Sequence, residues 1–242
     1  GTIIAAIQQQ LREDRLVPPS TAPKHIVIEY PSPNTNKPLH LGHVRNMLLG
    51  RSITLLLEKT GHQVSQVNLN NDRGIAICKS MLAYQKFGEQ QTPEDANMKS
   101  DHFVGKWYVV FAKEKDKNPQ LEEEAQELLR KWEAGDPETI ELWKTMNRWA
   151  IEGFNKTYER FGISHQKEYF ESDIYAQGKE VVQKGLQEDV FSRDEQGNVV
   201  ADLEEENLGV KVLLRSDGTS IYITQDIALA YAKNEDFTAD TF

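Results

Sequence analysis

His25-Ile-Val-Ile-Glu-Tyr30 runs into Pro33-Asn-Thr-Asn-Lys-Pro-Leu-His-Leu-Gly-His43, and a helical pattern follows to Lys59. The β-branched run 25–30 predicts a short buried strand. Pro31, Pro33 and Pro38 hold the next residues in a loop. From Leu41 to Lys59 the apolar spacing predicts a helix, with Val44, Leu48 and Leu55 on its buried face and Gly61 placed to cap it. Val64 to Leu69 alternates as a second strand, and Asp72 to Phe87 reads as a second long helix. Strand, helix, strand, helix in that order predicts an α/β fold with a parallel sheet.

Working outward, residues 2–16 read as a short helix that Pro18-Pro19 ends, so 1–23 form a helix and linker. Residues 24–88 are the first half of the sheet domain. Residues 89–171 are charged and Glu-rich, with helical stretches at 120–133 and 137–161, and read as a mostly helical insertion. Its four tryptophans, Trp107, Trp132, Trp143 and Trp149, read as the insertion's own small core. Residues 172–242 form the second part, with helices at 173–187 and 225–233. A hairpin is expected around Gly197-Asn198, and strands at Lys211–Leu214 and Ile221–Thr224 around a Ser216-Asp217-Gly218 turn.

The 242 residues fit one large domain or two small ones. With 38% hydrophobic and 27% charged residues the chain reads as globular, and no apolar run approaches the ~20 residues of a membrane span. The single cysteine, Cys78, excludes an intramolecular disulfide and suits a reducing cytoplasm. The opening Gly1-Thr2 lacks a methionine and reads as a processed or added start. The formal charge is −10, the wrong sign for coating nucleic acid non-specifically. The charge is uneven, however. Residues 24–88 hold eight Lys and Arg against three Asp and Glu, a net of +5, so an anionic ligand is expected there.

The loop between the first strand and helix is where a doubly wound sheet binds ligands, and a helix N-terminus favours anions. His40 and His43 are three residues apart and share one side of the opening turn. Gly42 lets a flat ring or a phosphate approach the backbone, and Lys37 adds a mobile positive charge. Two imidazoles there can donate to the oxygens of a leaving pyrophosphate. A His-x-x-His pair also occurs by chance or as a metal pair, but no third ligand has metal-site spacing.

His40-Leu41-Gly42-His43 resembles the HIGH motif of class I aminoacyl-tRNA synthetases. Glu29-Tyr-Pro-Ser-Pro-Asn34, Lys37 to Asn46, Asn71-Asp-Arg-Gly74 and Leu214 to Asp226 are similar, in that order, to arginyl-tRNA synthetase. The resemblance covers about residues 25–88 and 165–233. It implies a Rossmann-like nucleotide-binding fold with 89–171 as the connective insertion. It implies ATP, with Mg2+, and arginine as substrates, joined as arginyl-adenylate and then passed to the 3′ end of a tRNA. It assigns His40, His43 and Lys37 to catalysis, and these three with Gly42 to ATP.

By the same resemblance, Glu29, Asn34, Tyr222 and Asp226 contact arginine. The chemistry agrees, since a guanidinium is best held by carboxylates and planar acceptors. Each residue also has an ordinary structural explanation: a solvated strand end for Glu29, an Asx turn for Asn34, core for Tyr222 and a helix N-terminus for Asp226. The family's second signature, KMSKS, and its helical anticodon-binding domain have no counterpart in the sequence, which therefore reads as a piece of a longer enzyme. A non-catalytic ATP- or arginine-binding fragment, or another HxGH nucleotidylyltransferase, are the competing readings. An exposed apolar face is expected at Ile221 to Ile227. The sequence is silent on oligomeric state and tRNA identity.

Overall fold

β1 forms over His25–Glu29 and pairs in parallel with β2, Gln63–Asn70, with Ile26 opposite Val64 and Glu29 opposite Val67. The computed structural model of the chain describes residues 2–13, 18–218 and 222–242, with the side chains of Leu11, Ala176 and Tyr222 excepted. β2 pairs in parallel with β3, Lys167–Phe170, placing Val67 opposite Lys167 and Asn70 opposite Phe170. β3 lies inside the block 89–171 that charge sets apart. Its alternation is hidden because only Tyr169 is fully buried among charged neighbours. The parallel neighbours are joined by helical crossovers, as parallel pairing requires. α2, Leu41–Lys59, links β1 to β2, and α3, Ile75–Phe87, follows β2.

α2 has the predicted ends but not the predicted buried face. Gly61, at φ 86°, and His62 donate to Glu58 and Leu57 carbonyls, a Schellman ending. The buried residues are Met47, Gly50 and Thr54, while Leu48 and Leu55 are each 49% exposed. The reason is Tyr30. A Cβ on Gly50 would lie 2.3 Å from its ring, so the helix approaches β1 through this glycine. Apolar spacing does not reveal such a contact.

The insertion is helical: α4, Ser100–Lys115; α5, Gln120–Glu133; α6, Pro137–Phe161. Asp136 caps α6 by accepting from the Thr139 amide at 3.0 Å. Trp107 and Trp149 are buried and meet Phe103 and Tyr84 edge to face. They are core, as expected. The core is not the insertion's own, because one cluster also holds Tyr30, Met47, Ile77 and Met81 from the sheet half. Insertion and sheet therefore share one apolar interior.

The other sheet face, Val27, Val67 and Tyr169, packs on Ile174 of α7, Glu171–Gln187, and on Ala228 and Leu229 of α8, Tyr222–Phe237. A second, antiparallel sheet follows in the order β4, Ser192–Arg193; β5, Val199–Leu203; β6, Gly209–Leu214. The expected strand at 221–224 is not formed over its described residues, since Tyr222 to Thr224 open α8. Ile223 and Ile227, one helical turn apart, both pack on the cluster of Val182, Val199 and Leu213. The exposed apolar face expected at 221–227 is therefore covered at both; Ile221 lies outside the described residues. Exposed apolar side chains occur instead on α2, at Leu41, Leu49, Ile53 and Leu56.

The predicted helix at 2–16 is present as α1, Thr2–Arg12, and residues 14–17 lie outside the described residues. Near the end of the chain the Val27 amide donates to the Thr241 carbonyl at 2.9 Å, a parallel bridge on the outer edge of β1. No described helix is long and apolar enough to cross a membrane.

Candidate active site

His40 is the N-cap of α2, with extended backbone at φ −118° and ψ 177°. Its Nδ1 accepts from the Gly42 amide at 3.1 Å, and the His40 amide donates to His43 Nδ1 at 3.1 Å. Two imidazoles thus cap the helix reciprocally, as Ser and Glu do in a capping box. A neutral imidazole that accepts at Nδ1 carries its proton on Nε2. Both rings therefore present an Nε2–H donor on the side away from the helix end. The rings sit 4.0 Å apart with a 36° tilt. A Cβ on Gly42 would lie 2.9 Å from His40 Cε1, so it is the His40 ring itself that needs this glycine.

His43 is held neutral. Partial burial, then the nearby His40 and Lys37, push its pKa down to about 4. Lys37 and Pro38 rest on the insertion: a Cβ on Gly105 of α4 would be 2.4 Å from Pro38 Cδ and 3.4 Å from Lys37 Cα.

A cavity of about 750 Å³ opens beyond the carboxyl end of β2, between the start of α3, α7 and α8. Asn34 and Asp226 both line it, although they are far apart in sequence. Asn71, Arg73, Glu171, Tyr175, Arg215 and Gln225 also belong to its polar wall. Lys37, His40, Gly42 and His43 do not line it. Glu29 is also outside its lining and already has partners. One carboxylate oxygen accepts from Ser32 Oγ at 2.7 Å, and the other meets Lys233 Nζ at 2.5 Å. The Tyr222 side chain lies outside the described residues.

Glu171 is partly buried, which raises its pKa; Arg73 and a Gln225 hydrogen bond oppose this, and Asp72 adds to it. Asp72 is itself raised by burial, and accepts from the Ser172 amide at 2.9 Å and Ser172 Oγ at 2.8 Å. That clamp ties the loop after β2 to the start of α7. The insertion holds the same loop from behind. Trp143 Nε1 donates to the Asp72 carbonyl at 2.7 Å, and Asn147 Nδ2 reaches it at 3.5 Å. Thr35 in turn donates to Asn147 Oδ1. Thr35 and Asn71 are also bonded through backbone, at 3.1 Å. The loops after β1 and β2 are thus stitched together, with α6 bonded to both.

Arg73, Glu171, Tyr175 and Gln225 escape the sequence reading as site residues. Arg73 sits inside a quoted block and Gln225 beside Asp226. Glu171 had a usable signal: it directly follows β3, and ligands gather at the carboxyl ends of parallel strands. Without that strand the signal is silent. Among the described residues no cluster of three His, Cys, Asp or Glu could hold a metal.

Residues 6–242 match the family described as tRNA synthetases class I (R), catalytic domain. The arginine–tRNA ligase of Treponema denticola is 56% identical over 220 residues, covering 90% of this chain and 37% of that protein. That of Flavobacterium psychrophilum is 48% identical over 239 residues, covering 92% and 40%. The structure of Thermus thermophilus arginyl-tRNA synthetase superposes with a TM-score of 0.74 at 29% identity, over 95% of this chain and 40% of that one. The chain thus spans about two-fifths of the length of these curated relatives. It belongs to the class I arginyl-tRNA synthetase family, within the catalytic domain.

Proposed function

We propose that this chain supplies the arginine cavity and the HxGH phosphate corner of an arginine–tRNA ligase. The observation that carries this is the cavity wall. Asn34, Glu171 and Asp226 face one space with two carboxylates and a carboxamide, acceptors suited to a planar guanidinium. Glu29, neutralised by Lys233, acts at the edge by holding the loop to Ser32, and Tyr222 orients the substrate.

The first step needs no acid–base pair, because the arginine carboxylate is already ionised. Its oxygen attacks the α-phosphorus of ATP. The bond from that phosphorus to the bridging oxygen breaks, and pyrophosphate leaves with the electron pair. The work of the protein is alignment and charge stabilisation. The Nε2–H groups of His40 and His43 donate to phosphate oxygens, Gly42 permits their stacking and Lys37 adds charge. Mg2+ would enter with ATP and would offset phosphate charge, since among the described residues no cluster of three His, Cys, Asp or Glu could hold a metal. A hydroxyl at the 3′ end of a tRNA then attacks the arginyl carbonyl carbon, the bond to the adenylate oxygen breaks and AMP leaves, in the cytoplasm. In this reading 24–88 and 172–242 are the two parts of the catalytic domain, β3 at the end of the 89–171 block belongs to their sheet, the rest of that block is the connective insertion and 1–23 is a helix and linker leading in.

Arginine-dependent pyrophosphate exchange with added tRNA is the test. Exchange that Asp226→Asn abolishes supports the ligase. Binding of ATP or arginine by this chain without exchange supports a non-catalytic binding fragment. Exchange driven by another acceptor, and not by arginine, supports a different HxGH nucleotidylyltransferase.

A further inference from the structure

Arg73 is itself a guanidinium in the wall of a cavity proposed to bind one. Its side chain is 10% exposed, and its Nη2 meets Glu133 Oε1 at 2.6 Å. Its Cζ lies 3.4 Å from the centre of the Tyr175 ring and 5.6 Å from that of Trp132. Trp132 is braced in turn by Trp143, ring to ring at 5.4 Å. A guanidinium has five N–H donors. Here Nε is buried with no hydrogen-bond partner. Arg73 therefore has spare donors beside Glu171, whose charge it already feels. The acceptors a ligand guanidinium would use, Asn34, Glu171 and Asp226, line the same cavity as Arg73.

Among the described residues the ion pair of Arg73 is with Glu133, which belongs to α5 of the insertion and is 44% exposed. Glu133 is not part of the cavity lining, so this ion pair is made outside it. We infer that Glu133 is a positioning residue for the arginine cavity: it keeps the Arg73 guanidinium stacked on Tyr175, so that this built-in guanidinium does not occupy the ligand's place. Without the charge of Glu133, Arg73 turns to Glu171 and Asp226 and competes with the ligand. The inference rests on the reading of the cavity as an arginine site. It gives the insertion a second role there, besides bonding to the loops at Thr35 and Asp72.

The test is calorimetric titration of the 242-residue chain with L-arginine, for wild type, Glu133→Gln, Arg73→Met and the double variant. An Arg73 that spends about nine-tenths of its time in the cavity raises the apparent Kd about tenfold. Glu133→Gln is expected to weaken binding by that much. The double variant is expected to return to within about twofold of Arg73→Met alone, because the competitor is gone. Unchanged affinity in Glu133→Gln overturns the inference, as does a double variant as weak as Glu133→Gln. A purely structural role for the ion pair gives no such rescue.

If wild type does not bind L-arginine, the cavity reading fails for this chain, and the fate of Arg73 is read from the Glu171 carboxyl carbon by NMR titration. Asp72 faces Glu171 from the loop after β2, Asp226 and Gln225 face the same cavity from α8, Arg215 follows β6, and Asp173 and Tyr175 share α7. Glu133→Gln is expected to lower the Glu171 midpoint, as Arg73 moves closer, and Arg73→Met to raise it. A midpoint that stays or rises in Glu133→Gln means that Arg73 does not turn inward.

Discussion

In the corner at residues 37–43, the working groups follow one another along the chain, and His40 and His43 satisfy each other's helix end. In the cavity, Asn34, Arg73, Glu171 and Asp226 arrive from separate segments; Asn34 bridges to Asn71, Arg73 pairs with Glu133 and Glu171 is hydrogen-bonded to Gln225. The reciprocal cap at His40 and His43 is a local structure, while Lys37 and Pro38 before it rest on Gly105 of α4. The cavity is walled by the loops after β1, β2 and β6 and by α3, α7 and α8, and the insertion reaches it through Glu133 on Arg73 and through Trp143 and Asn147 on Asp72. The difference predicts how each responds to mutation: sharply and locally in the corner, cooperatively in the cavity.

The largest effect is expected from His43→Ala in the longer ligase. Losing one donor aimed at developing charge slows a reaction by roughly 10²–10³-fold. Pre-steady-state pyrophosphate release should slow by that order, while arginine affinity changes less than about threefold. An unchanged burst rate would remove His43 from the chemistry. Next is Asp226→Asn, which removes a charged acceptor. A hydrogen bond to a charged group contributes about 1.5–3 kcal/mol, so arginine affinity should fall roughly 10- to 100-fold with ATP affinity unmoved. If both ligands weaken together, the corner and the cavity are not separable.

Asn147→Leu probes the link between them. The substitution removes the Asn147 acceptor of buried Thr35 Oγ1, while the Asp72 carbonyl keeps Trp143 Nε1 as its donor. An unsatisfied buried group costs about 1–3 kcal/mol, to be read by urea unfolding. Amide exchange should quicken at Thr35 and Asn71, whose backbone bonds stitch the two loops. A stability loss without faster exchange at these two amides would make Asn147 ordinary packing.

The same contrast explains what the sequence makes legible. β1, α2 and β2 are contiguous runs with clear periods, and both histidines stand at a helix start that a proline-rich loop marks. The buried face of α2 was not legible, because it turns on Tyr30 meeting Gly50. Nor was β3, whose Lys-Glu-Tyr-Phe shows one buried residue in four. Glu29 looks like a free carboxylate until Lys233, 204 residues away, is seen beside it. The start of α8 reads as a strand because Ile and Thr favour strands; packing of Ile223 and Ile227 on one cluster overrides that preference.

Acidification should move the two regions in opposite directions. His43 has a folded pKa near 4, against about 6.5 when unfolded. Below pH 6.5 the unfolded chain takes up a proton that the folded corner refuses. The contribution of His43 to stability is therefore complete above pH 6.5 and is lost as pH falls toward 4. Glu171 and Asp72 carry the reverse sign. Burial raises their folded pKa values, so the fold favours their protonated forms and gains stability as pH falls through those values. Whole-chain melting curves would mix these terms. His43→Gln separates them, since a Gln at this helix position can still accept from the His40 amide but does not titrate. The stability advantage of wild type over His43→Gln should be flat above pH 6.5 and shrink steadily from there to pH 4, by urea unfolding at fixed ionic strength. A pH-independent difference would mean that His43 accepts its proton normally, and that the reciprocal cap does not hold the ring neutral.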